Sequence, residues 1–175
     1  MNRRLFFALL LLLVPCSLLV AAPCGDTIVD IDTARILVID KGAMRLAVVS
    51  PDGSVEYSYP MACGKNLGDK QESGDMRTPE GTFSVQSIHN SSWWKHDFRD
   101  GKGIIDGAYG PWFIRLNVPG HKGIGIHGTH DSDSMGQRVT EGCIRLRNED
   151  IDELHTLVFP GMMVRISQDS ICVID

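Results

Sequence analysis

The sequence has no basic run, no internal repeat, no low-complexity stretch and little helical periodicity. Its 175 residues carry 17 basic against 22 acidic side chains, a formal charge of −5. Setting aside Arg3 and Arg4 of the N-terminal segment leaves 15 basic residues against the same 22 acids. A net acidic chain without a basic patch lacks the electrostatic footprint of a nucleic-acid binder or of a protein held on an anionic membrane surface. Cysteine is sparse as well, at positions 16, 24, 63, 143 and 172 only. A domain of this size builds its own core and needs no disulfide framework. In an oxidising compartment Cys24, Cys63 and Cys172 are the candidates to pair, and their connectivity cannot be read from sequence.

One long apolar run is present. Leu5 to Ala22 follows Arg3 and Arg4, the charged n-region and apolar h-region of a secretory signal. Val20 and Ala22 suit the small-residue cleavage rule, and a cut after Cys24 avoids placing Pro23 directly behind it. At about 18 residues the run also suffices to cross a bilayer uncleaved. Either way the remainder is expected outside the cytoplasm, in the periplasm or cell envelope. The organisation that follows is a signal peptide or anchor at 1–24, a short linker at 25–33, one domain at 34–167 and a tail at 168–175.

Within that domain the dominant pattern is alternation, the period of a half-buried strand. Ile36–Ile39 and Leu46–Val49, with Lys41-Gly42 between them, read as a hairpin. Strands are also expected over Val55–Met61, Gly81–Ile88, Trp112–Val118, Gly123–His127 and Met162–Ile166, and a surface loop over Asn66–Thr78. A helix is expected at Asn148, which reads as its N-cap, with early acids and apolar spacing through Ile151, Leu154 and Val158. Many short strands and one or two short helices predict a mainly β fold, a compact sandwich or barrel.

An unpaired cysteine in an oxidising compartment needs a reason to stay unpaired. Cys143 lies in Thr140-Glu141-Gly142-Cys143-Ile144-Arg145, downstream of Gly125-Ile126-His127-Gly128. Most free cysteines are small buried hydrophobes. A histidine within reach changes that, because it can take the thiol proton and later protonate a leaving amine. Attack on an amide also needs donors for the oxyanion, and the amides around Gly142-Cys143 are the candidates. His127, His130, Asp131 and Asp133 invite a metal reading, but their spacing fits no strong zinc pattern, so no metal and no cofactor are expected. Trp93 and Trp94 either roof a cleft, stacking on sugars, or cover one end of the core. Tyr109 and Trp112 admit the same two readings.

Together these residues resemble the L,D-transpeptidase catalytic domain, or YkuD domain, family. Its motif is His-Gly, a spacer, then Ser/Thr-x-Gly-Cys with Arg or Asn two residues on. His127-Gly128, Thr140, Gly142, Cys143 and Arg145 fall on it. Arg77-Thr78-Pro79-Glu80-Gly81-Thr82-Phe83, Gly110-Pro111-Trp112-Phe113 and Pro160-Gly161-Met162 are similar to other family segments. The resemblance implies a β-rich fold and a cysteine that acylates on peptidoglycan stem tetrapeptides, then passes the acyl group to an amine of a neighbouring stem or an attached protein. It makes Cys143 the nucleophile and His127 the base and acid, with the Gly128 carbonyl orienting the ring. Gly142 lends backbone to the oxyanion hole, and Arg145 and Thr140 brace the loop or meet substrate. The family often has His at position 141, where this chain has Glu. Glu141 is expected to point outward, toward the amino group of a diamino-acid acceptor. A hydrolase with the same acyl-enzyme (a carboxypeptidase or an amidase) and a non-catalytic peptidoglycan-binding module are the competing readings.

Overall fold

The computed structural model describes residues 35–98, 101 and 103–168. The leader, the linker, Cys24 and Cys172 lie outside these residues, as does the tail beyond Gln168. In chain order the strands are β1 Ile36–Asp40, β2 Arg45–Val49, β3 Val55–Pro60, β4 Cys63–Gly64, β5 Gly81–Asn90 and β6 Lys95–Asp97. They continue with β7 Ile104–Asp106, β8 Trp112–Asn117, β9 Gly125–His127, β10 Arg138–Thr140, β11 Ile144–Arg145 and β12 Met163–Ser167. A short 3-10 turn covers Ser132–Ser134, and one α-helix, α1, covers Asn148–Leu157.

Eight strands form one curled sheet in the order β11-β9-β8-β5-β12-β1-β2-β3, a half-barrel. β12 returns from the end of the domain to lie parallel to β1, with Leu37 opposite Val164 and Ile39 opposite Ile166. In β12 the buried Val164 and Ile166 alternate with more exposed neighbours, the period-two pattern of a half-covered strand. Residues 36–39 of β1 are all apolar because both faces of the strand are covered: Leu37 and Ile39 join the main core, Ile36 and Val38 a smaller cluster with Val49. α1 closes the main core by burying Ile151 and Leu154 completely, worth about 1.5–3 kcal/mol each.

The two ends of the sheet are tied together. β3 is one edge and β11 the other, yet the chain leaving β3 reaches β11 within two residues. Ala62 and Arg145 exchange both backbone hydrogen bonds, each 2.9 Å. β4 continues from there to pair with β10 in a small parallel sheet, while β6 and β7 form a ribbon of their own.

Two local expectations are corrected, and Lys41 shows a placement that the sequence did not announce. The hairpin at Lys41 forms, but Lys41 is fully buried, its ammonium held by the carbonyls of Gly68 (3.0 Å) and Thr78 (2.8 Å) and by Glu80 (2.7 Å). A buried charge stays only when it is paired in this way, and here it pins the 66–80 loop to the sheet. Asn148 is not the N-cap. Arg147 occupies that position, and the Asn148 amide oxygen instead accepts the Thr129 N–H at 2.8 Å. Cys63 is a free, buried thiol beside Met44 sulfur (3.7 Å), accepting from Arg138 at 3.3 Å. Burial in a core strand removes it from disulfide exchange.

Candidate active site

β9 and β11 are parallel neighbours, with Ile126 opposite Ile144 and His127 opposite Arg145. Successive strand side chains point to opposite faces. Ile126 and Ile144 therefore go into the core, and His127, Arg145 and Cys143 (two residues before Arg145) share the other face. That face lines a cleft of about 340 Å³. Strand periodicity alone thus brings the histidine and the cysteine to one cavity.

His127 is nearly enclosed, 2% exposed, between a parallel Phe113 ring (5.6 Å between centroids) and the edge-on ring of Tyr109 (4.9 Å). Its Nδ1 lies 2.6 Å from the Gly128 carbonyl oxygen. A carbonyl only accepts, so Nδ1 carries the proton and Nε2 keeps its lone pair. Burial drives the imidazole pKa down to about 3, with the Arg145 charge adding to the effect and the Gly128 bond opposing it. The ring is a neutral base in one fixed tautomer.

The His-Gly-Thr turn is clamped in turn by α1. Asn148 Oδ1 binds the Thr129 amide and sits where a Cβ on Gly128 would fall, 2.4 Å away. Any side chain at 128 would displace the clamp.

Cys143 is half-buried, and its thiol donates to the Gly123 carbonyl at 3.3 Å. Burial pushes its pKa up to about 11, and Glu141 pushes the same way. The Gly125 amide, Arg115 and Lys70 pull it back. The resting pair is therefore neutral thiol and neutral imidazole. Gly142 has φ of +130°, and a Cβ there would meet the Arg77 carbonyl oxygen at 2.7 Å. Only glycine fits this bend. Its amide donates to the Thr140 hydroxyl at 3.2 Å, and that hydroxyl donates to the Cys143 carbonyl at 2.6 Å. Both residues expected at the substrate, Gly142 by its amide and Thr140 by its hydroxyl, spend these groups inside the loop. They shape the turn that presents the thiol.

Arg145 is 4% exposed, reaching Ser134 Oγ at 3.1 Å and Asp131 at 3.9 Å, with its guanidinium over the Phe98 ring. Its Nε has no hydrogen-bond partner among the described residues. Glu141 is exposed at the cleft mouth, with Oε2 3.3 Å from His96 Nε2.

Trp93 and Trp94 do not line the cleft. Trp93 is 68% exposed, and Trp94 packs on His89, Tyr109 and Phe113, covering the sheet. The lining aromatics are Tyr109 and Phe98. Phe98, which closes the Trp93–Phe98 run, is the aromatic of that run that does line the cleft, whereas His96 and Lys70 have no motif that marks them as site residues. The alternation of His96 and Phe98 across Asp97 was the available signal. His130 turns its Nδ1 to the Ala108 carbonyl (3.2 Å) and stacks on Phe98, and no cluster suited to a metal ion occurs among the described residues.

His127 ends β9 and Cys143 immediately precedes the neighbouring β11, so that both line one cleft of the curled sheet. Residues 34–166 match the L,D-transpeptidase catalytic domain (YkuD) family, and the chain belongs to it. It is 32% identical over 136 residues to Bacillus subtilis YqjB, whose name places it among the L,D-transpeptidases, covering 77% of this chain and 72% of that one. The fold is similar to that of an L,D-transpeptidase from Mycobacterium smegmatis (TM-score 0.55, 21% identity, 76% of this chain and 58% of that one). It is likewise similar to Pgp2, a helical cell shape determining protein of Campylobacter jejuni (TM-score 0.58, 22% identity, 79% and 49%). The chain thus spans about half of the larger solved structures.

Proposed function

We propose that the protein is an exported, cysteine-dependent L,D-transpeptidase acting on peptidoglycan stem tetrapeptides. The observation that carries this reading is the fixed tautomer of His127, whose basic Nε2 belongs to the same cleft as the Cys143 thiol. In this reading the thiol leaves the Gly123 carbonyl and gives its proton to His127 Nε2 as the sulfur attacks the carbonyl of the third stem residue. The Cys143 amide, the N–H following the Gly142 bend, is the donor left for the oxyanion. The C–N bond to the terminal D-residue breaks, and His127 returns the proton to the departing amine. The thioester that remains is released by an amine acceptor, which forms the new amide and restores the thiol. Arg145, buried with an unpartnered Nε, supplies positive charge for a stem carboxylate.

The test is mass spectrometry of purified protein incubated with disaccharide-tetrapeptide. Cross-linked dimers are the expected product. Tripeptide alone would replace the transferase by a carboxypeptidase with the same acyl-enzyme. Absence of both products and of a Cys143 adduct with a carbapenem would overturn the enzymatic reading.

A further inference from the structure

One polar pair in the cleft has no part in acylation. Glu141 and His96 approach to 3.3 Å and both line the cavity that holds Cys143. They arrive from different directions, Glu141 on the nucleophile loop and His96 on β6. The His96 ring leans on Phe98 (4.5 Å) and Tyr109 (5.5 Å), so packing holds the imidazole in place independently of the carboxylate. The His96 and Glu141 side chains are 30% and 40% exposed, open to an incoming group without disturbance of the core. For the first half-reaction the carboxylate is a handicap, because its charge opposes the thiolate two residues away. The second half-reaction gives it a use.

Building on the transpeptidase reading above, we propose that Glu141 and His96 form the acceptor-amine site, the carboxylate receiving the incoming ammonium group and the imidazole taking its first proton. Near neutral pH an amine in water is R–NH3+, which has no lone pair with which to attack. Glu141 attracts it to the cleft mouth, and His96, whose Nε2–H points to Glu141, accepts one proton at its other ring nitrogen, becoming an imidazolium beside Glu141. The free R–NH2 attacks the thioester carbonyl, so that a C–N bond forms and the C–S bond breaks. The second amine proton passes through His127 to the departing sulfur of Cys143, and His96 returns its proton to water. The balance is one ammonium and one thioester in, one amide, one thiol and one proton out. Water carries no charge for Glu141 to attract, so the pair favours transfer over hydrolysis.

The experiment uses the purified full chain, disaccharide-tetrapeptide as donor and two nucleophiles: diaminopimelate, which arrives as an ammonium, and hydroxylamine, which is mostly neutral near neutral pH. Mass spectrometry reads the ratio of aminolysed to hydrolysed product for wild type, E141Q and H96Q, together with the rate of Cys143 adduct formation with a carbapenem. E141Q is expected to lower the diaminopimelate ratio about five- to tenfold and the hydroxylamine ratio by less than about twofold. Its carbapenem adduct forms as fast as in wild type or faster, because a charge opposing the thiolate is gone. H96Q lowers the diaminopimelate ratio in the same direction. An unchanged ratio in E141Q overturns the acceptor site, and so does an equal fall with both nucleophiles or a slower adduct. If wild type forms the adduct but gives tripeptide with both nucleophiles, the transferase reading itself falls and the acceptor site with it.

Discussion

The two walls of the cleft are built on opposite principles. On one wall, His127 and Arg145 sit on β9 and β11 of the main sheet, 2% and 4% exposed, each fixed by several contacts. The other wall includes His96, on a three-residue strand that pairs only with β7, and the outward residues Lys95 and Asp97 are exposed. In the proposed mechanism the first wall carries the groups that react, and the second carries His96, which helps receive the acceptor, on a ribbon whose residues change with little cost to the core. On that reading the difference separates reactivity from selection within one cavity.

Substitutions that break the first wall have the largest expected effects. Cys143→Ala should abolish the carbapenem adduct and the thioester in mass spectrometry while leaving the melting temperature nearly unchanged; any remaining thioester would put the nucleophile elsewhere. Next in size is the pH dependence of the free thiol. With Cys143 raised to about 11 and His127 lowered to about 3, the thiolate fraction grows with pH throughout the neutral range. Iodoacetamide labelling of the resting protein should therefore climb about tenfold per pH unit from neutral toward 10. A flat profile across the acid and neutral range would reveal a preformed thiolate–imidazolium pair instead.

Asn148→Ala sharpens the comparison at its support. Losing the acceptor of the Thr129 amide should cost about 1–3 kcal/mol in a denaturant melt and slow adduct formation, because the Gly128 carbonyl that orients His127 is no longer clamped. On the second wall's periphery, Trp93→Ala should shift stability by no more than about 0.5 kcal/mol and leave acylation at the wild-type rate. A large loss of activity there would return Trp93 to the substrate path.

The core strands were legible because each buries at least one face. Ile36–Ile39, Trp112–Val118 and Met162–Ile166 advertise that burial by alternation or by unbroken apolar runs, and the structure places β1, β8 and β12 over them. The ribbon of β6 and β7 was not legible. Lys95-His96-Asp97 and Ile104-Ile105-Asp106 are short and largely polar, and they join no core that would impose a pattern. The burial of Lys41 was not legible either, because the two carbonyls and Glu80 that hold it come from a distant part of the chain. Asn148 misled for a related reason: its preference for a helix start is local, while the Thr129 amide that claims it comes from a distant turn. Cys143 and His127 stood out by motif, but the resting thiol bond to Gly123 depends on a rotamer that no motif encodes.

The paired bonds between Ala62 and Arg145 bear on how the protein comes to be made. They join residues far apart along the chain, as does the pairing of β1 with β12 near the two ends of the domain. Contacts of such long sequence separation form late and slowly, because the intervening loop must be closed first. The segment presenting Cys143 is thus tied into the sheet through one of these non-local contacts. An incompletely folded chain would carry Cys143 without His127 beside it, so the cleft is complete only once the whole domain has assembled.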